Sequence, residues 1–595
     1  MKHIYSICLL LAFWISHSNT SFSQGEVNNW IMSRDIWLDF SSGYPEYSYI
    51  PSQQLPQVLT GPYPPYDWDY SQMIPYNYFF ASDLHSASIS DKNGNLLYFA
   101  NGETIYHRQL DTLWTSNDLT IDRLEALQSF FVLKPGNSNR HLYFTVPDDQ
   151  LFKGLRYTEL DIALNGGLGG VVGTPDVILM DTTASKISAT YHANGRDVWI
   201  LAHEIYTNNF RAYLLTENGI SSNNYVISSV GSTYWVTYSQ GTWGYASGPV
   251  KGQMKFSPSG DKLVAALCGS HKIELFDFNN ETGVLSNPVS LSIALPSQVE
   301  FSPDGTIAYI GANSAGAITN YLLSKDTNGI YQIDLLAGNA VAIENSVIKI
   351  SPLYYVGSNN YQVYSINSMQ LTYNGNILVG WRHGTTGSVD TSNLHVISSP
   401  NANGNACNYA IDHVVFPPSP VKSAFLPSFF PPFFDRNILF ANTCLHDSVL
   451  ICTQTNTHFD SIRWEFTDPL LGLISIPNQD TIYHQFPGFG PYDITLKRYR
   501  NSGMEHVVKK RLYIYPTANI ALPQDTLLCP GESISFNATA DSCVFAWAND
   551  QGYPLVNSDT IEINQPGKYW PVIQNFDNVC GSIDTVEVHY VANEL

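Results

Sequence analysis

One pattern of apolar and polar positions recurs along the first part of the chain. It has an apolar start, a polar turn containing glycine, then a run of apolar and aromatic residues. "FSPSGDKLVAAL" from Phe256 and "FSPDGTIAYIGA" from Phe301 show it most plainly. It returns in "ISDKNGNLLYFA" from Ile89, "VLKPGNSNRHLYFT" from Val132, "YHANGRDVWILA" from Tyr191 and "LTYNGNILVGW" from Leu371. The turn glycines are Gly94, Gly136, Gly195, Gly260, Gly305 and Gly375. Asn-Gly and Asp-Gly steps supply the positive φ that tight hairpins need. The β-branched, aromatic and apolar runs behind them suit strands buried in a stack of sheets.

Further strands follow with a more polar face: "LRYTELDIALNGGLGGV" from Leu155, "FRAYLLTENGI" from Phe210 and "KIELFDFNNETGVLSNPVSL" from Lys272. Several strands per unit, in units about 40 to 70 residues apart, predict a β-propeller. The fold expected is therefore all-β, with an N-terminal propeller of seven blades, six being the alternative, over residues 24–434. "CNYAIDHVVF" from Cys407 is expected to close the ring by pairing with "IWLDFSS" from Ile36. Only "DRLEALQSFF" from Asp122 and "AGNAVAIENS" from Ala337 pattern as short helices.

At "FPPSPVKSAFLPSFFPPFF", Phe416 to Phe434, proline density predicts a domain end and a stiff linker. Two similar passages follow, "CLHDSVLICTQTNTHFDSIRWEF" from Cys444 and "LCPGESISFNATADSCVFAWA" from Leu528, with a central Trp464 or Trp547. Short alternating strands in modules of this size predict two immunoglobulin-like β-sandwiches, over 435–516 and 517–595.

Composition narrows the class. Charged residues are 13% of the 595, and Tyr alone numbers 37. An uncharged polar and tyrosine-rich surface suits an extracellular β-protein. The net charge of −22, with no basic run, excludes an electrostatic footprint for nucleic acid. Lys2 and His3 precede an apolar stretch from Ile4 to Ile15, and Ser21 and Ser23 stand at −3 and −1 of a cleavage before Gln24. Residues 1–23 thus read as a secretory signal. No later stretch is long and apolar enough for a spanning helix. Export permits disulfides among Cys268, Cys407, Cys444, Cys452, Cys529, Cys543 and Cys580. Cys529 and Cys580 bracket the last module and are the expected pair. Cys444–Cys452 is a second candidate, and Cys543 beside Trp547 reads as core.

The segments "NWIMSRDIWLDFSSGYP", "SISDKNGNLLYFANGETIYHR", "ATYHANGRDVWILAH", "ELFDFNNETGVLSNP", "DLLAGNAVAI" and "SPNANGNACNYAIDHV", in that order, resemble the N-terminal propeller of gliding-motility-associated proteins of Bacteroidetes. The later modules resemble the polycystic-kidney-disease-type and Ig-like repeats of the same proteins. The resemblance implies Sec export followed by type IX secretion, and no established enzymatic activity. Such proteins usually end in a sorting domain, which "VEVHYVANEL" does not match; either the sequence is truncated or the protein is held by another route, and a place within the secretion or motility machinery is the alternative this favours. The resemblance also implies O-glycosylation at Asp-Ser/Thr-apolar triplets. Six occur in the sandwiches, at Ser448, Ser461, Thr481, Thr526, Thr560 and Thr585. The plain alternative is that these triplets start strands.

No catalytic set emerges. A GxSxG elbow is missing, and His203-Glu204 reaches Thr207 where HExxH needs a second histidine. His192 reads as a turn residue, and "NGGLGG" from Asn165, without helix or Lys, as a blade connection. Asp91, Asn93 and Asn95 alternate oxygens as calcium loops do, but no bidentate Glu follows. Asp261 and Asp304 read as turn residues bonding their own backbone. No cofactor is expected, with calcium as the alternative. The function expected is an exported, non-enzymatic surface or secreted protein, found outside the cell or, alternatively, in the periplasm. Its propeller binds a surface polymer, a glycan or another secreted or outer-membrane protein, and its sandwiches act as spacers. A propeller lactonase or hydrolase is the rival reading.

Overall fold

The computed structural model describes Val27, the strands between residues 29 and 49, and most of residues 86–590. The signal segment, Asn93 and residues 122–127 lie outside the described residues. Seven antiparallel sheets follow one another in sequence, one of three strands (29–49) and six of four strands. The six are blades 2 to 7, at 87–115, 129–180, 187–229, 254–292, 296–349 and 362–415. Each is a meander whose first strand is innermost. These first strands stand beside one another: Asn29–Met32 by Ala87–Ser90, that by Ser129–Leu133, Ile187–Tyr191 by Met254–Phe256, and Pro296–Phe301 by Gln362–Leu371. The chain is a seven-bladed β-propeller followed by two β-sandwiches.

The repeated turn is the unit that the sequence pattern encodes. Gly94, Gly195, Gly260, Gly305 and Gly375 all have φ between 70° and 86°. Each donates its N–H to the carbonyl three residues back, at 2.8 to 3.0 Å. The residue that opens the turn accepts a backbone N–H on its side chain: Asp91 from Asn95, His192 from Asn194, Ser257 from Lys262, Ser302 from Ile307, Thr372 from Asn376. All five turns join the first and second strands of a blade. A Cβ on Gly260 would stand 2.0 Å from Thr190 Oγ1. Gly260→Ala should therefore cost more than the ~1 kcal/mol of the strained φ alone, read as a fall in the thermal midpoint. Phe256 and Phe301, just before two of these turns, are fully buried between blades.

One expected pairing is replaced by another arrangement. Tyr409–Val415, the strand from "CNYAIDHVVF", pairs with Thr391–Ile397 of its own blade, and Ile36–Asp39 pairs within blade 1. No strand is shared between the first and last blades among the described residues. Of the two expected helices, "AGNAVAIENS" forms one, Ala340–Asn345, capped by Asn339 Oδ1 on Ala342 N at 3.0 Å. In the other, Ser129–Leu133 is strand.

The first sandwich sets a three-stranded sheet (Leu439–Ala441, Val449–Cys452, Thr481–His484) on a four-stranded one (Ser461–Asp468, Gly472–Pro477, Gly490–Tyr499, Glu505–Ile514). The second sets five strands on two. Trp464 and Trp547 are the fully buried centres, as their spacing predicts. Each indole N–H donates to a carbonyl at the entry of the facing strand, Gln479 at 2.7 Å and Asp559 at 3.3 Å.

The expected disulfide is corrected. Cys580 bonds Cys444, 136 residues away, with Cα atoms 5.5 Å apart, and so ties the two sandwiches together. Cys529 and Cys452 are free, and Cys529 is exposed. The reason is register. Thr526–Leu528 pairs in parallel with 588–590, which carries Cys529 past the end of that strand. Cys580 instead lies at the module junction, where Ala518 N donates to Cys580 O at 2.7 Å and Thr517 Oγ1 to Leu445 O at 3.0 Å.

Candidate functional site

A propeller offers three places for function: its axial channel and its two faces. The inner edge of each first strand leaves backbone groups unpaired, and these must be satisfied. Side chains from the preceding blade do so. Ser188 Oγ accepts from Phe256 N at 3.0 Å, Gln253 Oε1 from Val299 N at 3.0 Å and Glu300 Oε2 from Leu371 N at 2.6 Å. Lys255 Nζ completes the last of these at 2.6 Å from Glu300 Oε2. These buried polar groups look like channel chemistry in isolation; their partners make them the seams of the ring.

The channel itself is occupied by the chain. Residues 426–434, expected as a linker, are core. Leu426, Phe429, Phe430, Phe433 and Phe434 are buried with the propeller's own residues. Leu426 N donates to Ser368 Oγ of blade 7 at 2.9 Å, and Ser428 N to Ser86 O beside blade 2 at 2.7 Å. Phe429 packs on Trp30 of blade 1 at 5.4 Å and Phe430 on Tyr191 of blade 4 at 4.9 Å. Ser428 runs parallel to the first strand of blade 2. The segment thus enters where first strands begin and leaves where they end.

The exit face carries the glycine turns, and the first sandwich covers part of it. Arg500 Nη1 pairs with Asp334 Oδ2 at 3.0 Å, with both side chains mostly buried. A Cβ on Gly195 would meet Arg511 at 3.1 Å. Buried Arg498 is held by Asn437 Oδ1 at 2.6 Å and Thr453 Oγ1 at 2.8 Å. His506 is buried, with the charges of Asp261, Asp304, Arg498 and Lys262 acting on it.

The strands on either side of 116–128, 230–253 and 350–361, and of 313–328 and 386–390, end at the opposite face, which these longer connections make the long-loop face. Much of this lies outside the described residues, but a paired loop on blade 4 is described. Tyr206 N donates to Tyr234 O at 2.6 Å, Tyr234 N to Thr207 O at 3.0 Å and Val230 N to Asn208 O at 3.0 Å. Beneath, Tyr234 stacks on His203 at 3.4 Å, and Glu274 Oε1 accepts from Ser232 N at 3.0 Å and Ser232 Oγ at 2.6 Å.

The histidines and aspartates singled out from sequence are structural. His203 is buried, and desolvation first, then the Lys186 charge, hold its pKa well below 6.5. Its neighbour Glu204 pairs with Arg211 at 2.5 Å. His192 serves its turn. Both Asp91 oxygens serve Asn95, from its N and its Nδ2, each at 2.9 Å. Asp304 Oδ1 accepts from Thr306 N at 3.0 Å, whereas Asp261 Oδ1 takes the hydroxyls of Ser257 and Ser259 at 3.0 and 2.5 Å. "NGGLGG" forms a short turn between the last two strands of blade 3. Among the described residues no group of three or more His, Cys, Asp or Glu is placed to hold a metal ion. The six Ser/Thr triplets all sit at strand starts; Ser448, Thr481, Thr560 and Thr585 are exposed, Ser461 and Thr526 half-buried.

Burial of neutral histidines has a pH consequence. Desolvation lowers His141 to about 4, and lowers His203 and His506 as well. The unfolded chain takes up these protons near 6.5 while the folded chain does not. Stability is therefore complete above about pH 6.5 and falls as pH drops toward 4, by ~3 kcal/mol from His141 alone. Denaturant midpoints across that range should fall, and fall less in His141→Phe.

No family model matches the chain, and no curated protein does. Solved structures do. Hydrazine synthase of Kuenenia stuttgartiensis is 12% identical over 62% of this chain and 95% of its own, with a TM-score of 0.32. The periplasmic gluconolactonase of Pseudomonas aeruginosa is 13% identical over 66% and 96%, TM-score 0.29. Murine CEACAM1b is 9% identical over 26% and 99%, TM-score 0.19.

Proposed function

We propose that this is an exported, non-enzymatic binding protein that presents the long-loop face of its propeller on a stiff arm of two sandwiches. One observation carries the reading: the axial channel, one of the places where a propeller can converge groups on a ligand, is filled by Leu426–Phe434. With the turn face partly covered by the first sandwich, the long-loop face is the surface left for a partner. Export rests on the signal-like N-terminus. The link to gliding motility and type IX secretion rests on the family resemblance alone. The acidic, tyrosine-rich composition suits a surface polymer, a glycan or another exported protein as partner. No helix of the described chain is long and apolar enough to cross a membrane.

Fractionation of the native cells tests it. The protein is expected on the cell surface or in the medium, shortened by the signal. A full-length pool confined to the cytoplasm would overturn the reading.

A further inference from the structure

Two aromatic side chains on the long-loop face stand out against the burial of their neighbours. Tyr206 is 61% exposed and Trp235 is 40% exposed, while Ile205 and Tyr234, each adjacent in sequence, are buried. Tyr206 has φ of 64°, a left-handed conformation that a bulky residue rarely adopts. Such strain persists only where the surroundings over-determine it, and it clusters at binding sites. Here the surroundings do so. The bond from Tyr206 N to Tyr234 O, and the return bond from Tyr234 N to Thr207 O, lock the two loops together. Tyr234 is in turn clamped by His203 and Phe210, and Glu274 anchors Ser232 from below. The two exposed rings therefore sit on a rigid base at neighbouring positions.

We propose that Tyr206 and Trp235 form a carbohydrate-binding platform for a neutral glycan chain. This rests on the reading of the long-loop face as the binding face and names its ligand class. Aromatic rings offer rigid apolar area with little entropy to lose, which the C–H faces of sugar rings fit. A hydroxyl and an amide for sugar hydroxyls stand next to them in sequence on Thr233 and Asn208, while the Thr207 hydroxyl holds the turn between Glu204 O and Asn209 N. The charges around this base face inward: Glu204 pairs with Arg211, Glu274 is buried with its Oε1 on Ser232, and Lys186 is buried beneath the Tyr234 ring with its Nζ on Ala266 O, so none is presented to an ionic ligand. A protein partner would be met by aliphatic area as well, but Ile205 is buried and Val230 half-buried.

The test uses the full exported chain and titrates cellohexaose, laminarihexaose, mannohexaose and maltohexaose, with tryptophan emission and calorimetry as readouts. At least one hexasaccharide should bind and shift the emission. Trp235→Ala should abolish that shift, and affinity should drop at least tenfold in Trp235→Ala and in Tyr206→Gly, while Trp235→Phe keeps binding. Tyr206→Gly also relieves the backbone strain, so its thermal midpoint should hold or rise, which separates lost binding from lost fold. Glycan binding unchanged by both substitutions overturns the platform and leaves the binding face standing elsewhere. Binding of no hexasaccharide, with attachment of the protein to its own cell surface intact, overturns the ligand class alone.

Discussion

Replacing Phe430 with alanine should destabilise the propeller by about 3–5 kcal/mol, and Phe429→Ala should cost a similar amount. Both rings are almost fully buried against first strands, Phe430 on Tyr191 and Phe429 on Trp30. With both rings buried, the loss combines transfer and cavity terms. A linker phenylalanine would instead give a change within about 0.5 kcal/mol. Denaturant unfolding followed through the propeller's own tryptophans distinguishes the two. The double variant probes coupling as well, because the two rings are sequence neighbours and share the ring's centre.

Cys444→Ser should lower the stability of the sandwich pair by roughly 2–5 kcal/mol, since the bond closes a long loop in the unfolded chain. The expected signature is convergence: without reductant the wild type melts higher, and with reductant it melts where Cys444→Ser does. Cys529→Ser should change neither curve, because that thiol is free and exposed. A drop in Cys529→Ser comparable to that in Cys444→Ser would restore the pairing that the sequence suggests. With Cys444 and Cys580 joined across residues 515–518, the arm should also bend less; small-angle scattering of reduced protein should show a wider spread of sizes.

Much of the blade architecture was legible because the repeat is local. A glycine at positive φ three residues after a side-chain acceptor can be read in one line of sequence, and Gly260 and Gly305 carry the same geometry in adjacent blades. Trp464 and Trp547 were legible for the same reason. What failed was non-local. The run "PSFFPPFF" reads equally as linker, from its prolines, and as core, from its phenylalanines; only the ring around it decides. The closure between Tyr409–Val415 and Ile36–Asp39 failed because each strand finds its partners within its own blade, and apolar alternation does not say which edge a strand will take. The disulfide failed because bracketing a module in sequence says nothing of register within it. Tyr206 and Trp235 carry no sequence signal beyond an aromatic in an Asn/Thr-rich turn; that both leave the same face follows from strand direction, and the positive φ of Tyr206 from the bonds to the neighbouring loop.

Amide hydrogen exchange decides whether residues 426–434 fill the propeller's axis. The amide N–H groups of Leu426 and Ser428 are bonded to Ser368 and Ser86, and that of Phe433 to Phe430. They should exchange as slowly as those of Ala87–Ser90 and Ile187–Tyr191, opening only with the propeller itself. Exchange of the whole segment at the rate of an exposed linker, while the first strands remain protected, would place it outside the axis.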